Sequence, residues 1–139
     1  MKQSLTILLL LLTLFSCDKM DENGKLDGNW QLIRWTDNTT GELKADNTSK
    51  IFYTVKLELI QFKSKATGYY PYLAFFSHQG DFLIIRNVFL NQANTDSIVA
   101  LENLAQFGDD GSGKFHIMTL SNKRMVLTNK QNRLTFRKY

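Results

Sequence analysis

Few side chains in this 139-residue sequence are of the types that do chemistry: two histidines, one cysteine and 13 carboxylates. No serine or cysteine is spaced to His78 or His116 in the manner of a nucleophile and its base. Acid–base catalysis by paired carboxyls needs two of them on one face, and Glu42, Asp46, Glu58 and Asp81 are scattered over separate elements. Gly108-Asp109-Asp110-Gly111-Ser112-Gly113 offers two carboxylates to a calcium ion but lacks the spaced oxygen ligands of a calcium loop, so it reads as a solvated turn. The histidines could share a metal only if their strands met, and no third ligand is evident. The expectation is a protein that is not an enzyme and uses no metal and no cofactor.

The cysteine suggests a different chemistry. Cys17 follows Lys2, the apolar run Leu5–Phe15 and the small residue Ser16, which is the grammar of a secretory signal. The run is too short to span a bilayer, for which roughly 20 apolar residues are needed. Leu14-Phe15-Ser16-Cys17 resembles a bacterial lipobox. That resemblance implies that residues 1–16 are a signal peptide and that Cys17 becomes the first mature residue, carrying diacylglyceryl and N-acyl groups. Two or three acyl chains hold a protein durably at a membrane, where one does not. Residues 17–25 then form the lipidated Cys and a polar tether. Acidic residues soon after the cysteine resemble the surface-export signal of Bacteroidetes lipoproteins, whereas enterobacterial sorting would read Asp18 as retention at the inner membrane. An outer-membrane location, lipid-anchored and facing the periplasm or the cell surface, is the expectation.

From residue 26 onward the pattern is mostly period two, as in half-buried strands. Trp30–Thr36, Ile51–Phe62, Tyr69–Ser77, Phe82–Leu90, Lys114–Leu120, Arg124–Asn129 and Arg133–Tyr139 read as seven strands, with an eighth possible inside residues 37–50. The adjacent pair Leu59-Ile60 breaks the alternation and predicts a bulge or bend. Asn94–Phe107 reads as one short helix capped by Asp96 and stopped at Gly108. With no other cysteine to form a disulfide, the single domain at residues 26–139 depends on its core. After Asp110 there is no acid, yet Lys114, Lys123, Arg124, Lys130, Arg133, Arg137 and Lys138 follow. This basic end could meet anionic head groups or an acidic partner, or simply be solvated strand faces. Export argues against nucleic acid as a partner.

Consecutive antiparallel strands predict an all-β fold, an up-and-down barrel or curled meander of seven or eight strands with one short helix. Gly28-Asn29-Trp30 on the first strand and Arg137-Lys138 on the last are similar to the lipocalin arrangement, and Leu26–Leu32 with Phe136-Arg137-Lys138 resembles the small lipocalin-like lipoproteins of the Bacteroidetes. The resemblance implies barrel closure by Trp30 under Arg137 or Lys138, and alternation favours Lys138 as the stacking cation. The second lipocalin motif and the lipocalin disulfides are absent.

Ten of the 17 aromatic residues lie between positions 52 and 89, and Tyr69–Phe76 is apolar on both strand faces. Something must cover its outer face: either the helix around Ile98–Ala105 or a docked partner. The expected function is non-enzymatic binding of a small apolar or amphipathic ligand, with Tyr53, Tyr70, Tyr72 and Phe76 lining the site and Arg34 near its mouth. Alternation from Trp30 and Leu32 would point Arg34 inward to an anionic group, whereas a bulge at Leu32-Ile33 would turn Trp35 in and Arg34 out. The alternative function is a structural or protein-interaction subunit of an envelope assembly, inhibitor and immunity roles included, with the barrel filled by its own side chains. Asp96-Ser97-Ile98 also matches a short O-glycosylation motif of Bacteroidetes export proteins.

Overall fold

The pairing of the first strand with the last organises the molecule. The computed structural model describes residues 23–65, 70–91 and 96–139, so the expected signal peptide and Cys17 lie outside the described residues. Ten strands follow in order: β1 (Gly28–Asp37), β2 (Leu43–Asp46), β3 (Ile51–Lys56), β4 (Leu59–Ser64), β5 (Tyr72–Gln79), β6 (Phe82–Asn91), β7 (Asp96–Ile98), β8 (Lys114–Leu120), β9 (Arg124–Thr128) and β10 (Asn132–Lys138). Eight of them, in the order β1-β3-β4-β5-β6-β8-β9-β10, close an antiparallel barrel through the β10–β1 pairing. The short strands β2 and β7 add to β1 and β6 respectively. Closure leaves the eight barrel strands without a free edge. The all-β, lipocalin-like barrel expected from the alternation is the fold observed.

Three local features differ from the sequence reading, each for a physical reason. Residues 51–62 are not one strand but a hairpin, β3 and β4, turning at Leu57-Glu58 with Lys56 opposite Leu59. No Gly or Asn marks this turn, and Leu57 adopts φ +55°, the left-handed region that non-glycine residues usually avoid. Two hydrogen bonds hold it there: Asn23 Nδ2 donates to the Leu57 carbonyl (2.8 Å) and the Phe76 N–H to the Glu58 carbonyl (3.2 Å). The turn explains the Leu59-Ile60 pair, because Ile60 faces the interior opposite Val55 while Leu59 faces out. The second difference is in the predicted helix. Asp96–Ile98 instead forms β7 on the edge of β6, and a 3-10 helix starts only at Leu101, ending at Phe107. Gly108 does stop it, at φ +100°. Third, the folded body begins earlier than residue 26. Asn23 is already engaged with Leu57, a 3-10 turn spans Gly24–Leu26, and Leu26 is fully buried.

The core runs the length of the barrel. Trp30, Tyr53, Phe62, Phe115 and Phe136 are its largest fully buried side chains, and Leu104 and Phe107 from the 3-10 helix enter it from one end. At the other end Trp30 Nε1 donates to the Leu26 carbonyl (2.8 Å). Lys138 Nζ stands 4.7 Å from the Trp30 ring centroid and donates to the Lys25 carbonyl (3.0 Å). Arg137 faces outward and its guanidinium donates to Gln31 Oε1.

Candidate functional site

Of the five side chains expected to line a ligand site, three share the core and two face away from it. Tyr53 and Phe76 are buried in the core, and Tyr72, partly buried, packs against it. Tyr70 precedes β5 and is 56% exposed, so its ring does not belong to the interior. Arg34 is exposed as well. The register between β1 and β10 slips between Leu32 and Arg34, leaving Ile33 as the bulged residue. The bulge resets the alternation, turning Arg34 to solvent and Trp35 toward the core, where its Nε1 donates to Asn132 Oδ1 (2.8 Å). Of the two readings open for Arg34, the bulge at Leu32-Ile33 is the one observed, and Arg34 does not point inward.

The interior is occupied by aromatic rings in contact with one another. Tyr53 lies 4.7 Å from Phe62 and 4.6 Å from Phe136, centroid to centroid. Phe107 lies 5.8 Å from Phe62 and 5.9 Å from Tyr72. These spacings are those of packed aromatic pairs. The Tyr53 hydroxyl donates to the Phe107 carbonyl, joining the barrel wall to the 3-10 helix that closes it. Burial, reinforced by the nearby Asp109 carboxylate, holds the Tyr53 phenol well above its ordinary pKa and so keeps the donor protonated.

The glycine-rich turn after the 3-10 helix is a self-contained polar knot. Asp109, buried, accepts from the Gly111 N–H (2.8 Å) and the Gly113 N–H (2.9 Å). Burial raises its pKa and those two hydrogen bonds oppose the rise. The Gly108 carbonyl accepts from both Asn129 and Asn132 side-chain amides at 2.8 Å. The two carboxylates thus spend their acceptor capacity on the loop itself, Asp110 taking Ser112 and the Lys130 N–H. Among the described residues no group of three or more His, Cys, Asp or Glu could hold a metal ion. His78 on β5 and His116 on β8 are separated by β6.

The outer apolar face expected on Tyr69–Phe76 is present and extends further than the sequence indicated. Leu57 in the β3–β4 turn, Leu59 on β4, and Leu73 and Phe75 on β5 face away from the core. Leu59 stands opposite Phe75, and the Phe75 ring is 6.4 Å from Phe89 on β6. Two open depressions of about 250 and 310 Å³ meet here, sharing Leu57 and Leu59 and bordered by Thr54, Lys56, Glu58 and Gln61. The 3-10 helix, expected to cover this face, instead sends Leu104 and Phe107 into the core, and Ile98 on β7 is 91% exposed. The doubly apolar strand and the Leu59-Ile60 pair were the available signals; the turn that projects Leu57 had none.

A closed antiparallel barrel with an aromatic plug at its base under a terminal cation defines the lipocalin-like class. The chain belongs to the lipocalin-like domain family, whose model matches residues 10–139. Among solved structures it is similar to a lipocalin-like protein from Bacteroides uniformis ATCC 8492, at 21% identity and TM-score 0.60, covering 84% of this chain and 100% of that one. It is similar also to an uncharacterized protein from Bacteroides eggerthii DSM 20697, at 23% identity and TM-score 0.55, covering 81% and 98%. An NMR structure of a protein from Burkholderia xenovorans shares the fold at 13% identity and TM-score 0.53, covering 89% and 92%. No curated protein matches. The fold of these neighbours agrees with the lipocalin-like family match.

Proposed function

We propose that this protein is a lipid-anchored, non-enzymatic component of the cell envelope that works through the outer surface of a filled barrel, as a structural or interaction subunit. One observation carries the reading: the interior rings of Tyr53, Phe62, Phe107 and Phe136 pack on one another, where a carrier of this class would keep room for a ligand. Function then falls to the wall, and the apolar stretch from Leu57 to Phe75 is its most distinctive part. The anchor is Cys17 behind its lipobox-like sequence, and the outer membrane is the proposed location. Catalysis has no support in the dispersed histidines or in carboxylates that serve the loop they sit in.

Native mass spectrometry of the protein extracted in detergent from its own membranes tests the reading. The expected spectrum shows a chain that begins at Cys17, carries covalent acyl mass and holds no further small molecule. A discrete non-covalent mass that survives detergent exchange would establish an interior carrier instead. A chain without acyl mass would remove the anchor.

A further inference from the structure

The two ends of the barrel differ in charge. One end is marked by Gly28 opposite Val55, the Leu57-Glu58 turn, the β8–β9 turn and the close of β10. Exposed cations gather there: Lys25, Lys56, Lys123 and Arg124, with Arg137 directly opposite Arg124. Their exposed acidic neighbours are Glu58 and Asp81, while Asp27 is buried and bonded to Asn23. At the other end charges balance: Asp37, Glu42, Asp46, Glu102, Asp110 and the buried Asp109 stand among Lys44, Lys50, Lys63, Lys65, Lys130 and Arg133. Large apolar side chains are exposed at the cationic end as well, Leu57 at 52%, Met118 at 50%, and Phe75 and Phe82 at 38% each, while Leu43, Tyr70 and Ile98 are exposed toward the other.

The tether leaves the folded body at this same end. Asn23 Nδ2 is bonded to the Leu57 carbonyl, and Lys138 Nζ to the Lys25 carbonyl. Six peptide steps separate Asn23 from Cys17, a reach of about 20 Å at full extension. The ten-residue strand β1 is about 33 Å long at ~3.3 Å per residue. A chain held at Cys17 therefore cannot turn its opposite end to the surface that holds it.

We propose that the end carrying Leu57, Phe75 and Met118, ringed by Lys25, Lys56 and Lys123, is a membrane-docking face that lies on an anionic phospholipid surface. The inference rests on the anchor reading, because Cys17 supplies the surface and the short tether selects the face. Apolar side chains at the head-group level with lysines around them are the composition of interfacial membrane contacts. The strained, half-exposed Leu57 at the tip of its turn is the first residue such a surface would meet.

The test uses the acylated full chain in vesicles of phosphatidylethanolamine and phosphatidylglycerol. An environment-sensitive dye is attached at Leu57→Cys or, separately, at Glu102→Cys, the native thiol being blocked by its lipid. The expected result is a blue-shifted signal at 57, quenched by nitroxide lipids, and a water-like signal at 102. Lys56→Glu with Lys123→Glu should return the signal at 57 to its water-like value. A water-like signal at 57 in the acylated protein overturns the proposal, and so does protection seen only in native membrane extracts, which would assign the face to a protein. Should Leu57→Cys fail to fold, Lys56→Cys reports on the same face. The anchor is checked apart, by intact mass. If the chain proves unacylated, sedimentation of the unmodified chain with the same vesicles decides the docking face alone. Each Lys→Glu reversal, a change of two charges, should then lower partitioning roughly thirtyfold, and failure to sediment overturns the proposal.

Discussion

Replacing Tyr53 measures how full the barrel is. Its side chain is fully buried between Phe62 and Phe136, and its hydroxyl is bonded to the Phe107 carbonyl. Tyr53→Phe keeps the ring contacts and removes only the donor, leaving a buried carbonyl unpaired, at a cost of about 1–2 kcal/mol. Tyr53→Ala also removes the ring and leaves a cavity in a core that can relax only in part. Large aromatic-to-alanine changes in such sites cost about 3–5 kcal/mol, and the lost hydrogen bond places this one at the upper end. A domain of this size has a total stability on the order of 5–15 kcal/mol, so the variant should still fold, with a midpoint lowered by roughly 20 °C. Urea titration followed by far-ultraviolet circular dichroism measures both variants, and an unchanged denaturant slope shows that the unfolding reaction is the same one. If Tyr53→Ala lost less than about 1 kcal/mol, the ring would be facing open space and the filled barrel would be refuted.

Two further predictions concern the polar knot beside the 3-10 helix. A Cβ on Gly108 would stand 2.6 Å from Leu134 Cδ1 at φ +100°, against a fully buried neighbour, so Gly108→Ala should cost about 2–4 kcal/mol. Gly111→Ala, at φ +94° but with open space around it, should cost only about 1–2 kcal/mol from the backbone; equal losses in thermal melts would show that the Leu134 clash does not matter. Asp109 has its folded-state pKa raised above the ordinary 3.8 by burial, so protonation favours the folded state. Its contribution is fully present below the unfolded value and is lost as pH rises through the folded one. The stability of the wild type relative to Asp109→Asn should therefore decline from acid toward neutral pH, and a pH-independent difference in urea titrations would contradict the assignment.

Much of the architecture was legible because alternation is a direct record of which face a strand buries. Lys114–Leu120 coincides with β8, and most other strands differ by a few residues at their ends. Trp30 and Lys138 announced the barrel base through their resemblance to the lipocalin arrangement, and the cation does stand over the ring. The failures have one source, which is that a single residue can reset the pattern without a local signal. At Arg34 alternation left two readings open, and pairing with β10 far along the chain decides for the bulge at Ile33 that turns Arg34 outward. Leu57 enters the left-handed region because Asn23 and Phe76 hold its turn, and neither is a neighbour in sequence. Ile98 has the spacing of a helix, yet its backbone pairs with Phe89 on the edge of β6. Expected site residues went astray for the same reason: which aromatic ring faces a ligand and which faces another ring depends on long-range packing.

The closing seam between β1 and β10 also governs when the molecule can fold. Gln31 and Arg137 meet across it although 106 residues separate them, and Trp30 receives its covering cation from the penultimate residue. A chain whose β10 is still inside the ribosome lacks that seam, so the barrel stays open and the core stays wet. Such long-range closure makes folding slow compared with helical proteins of equal size. It also makes maturation all-or-none: a truncated chain is left with two unpaired strand edges and exposed aromatic surface, a form that proteases and chaperones readily distinguish from the finished barrel.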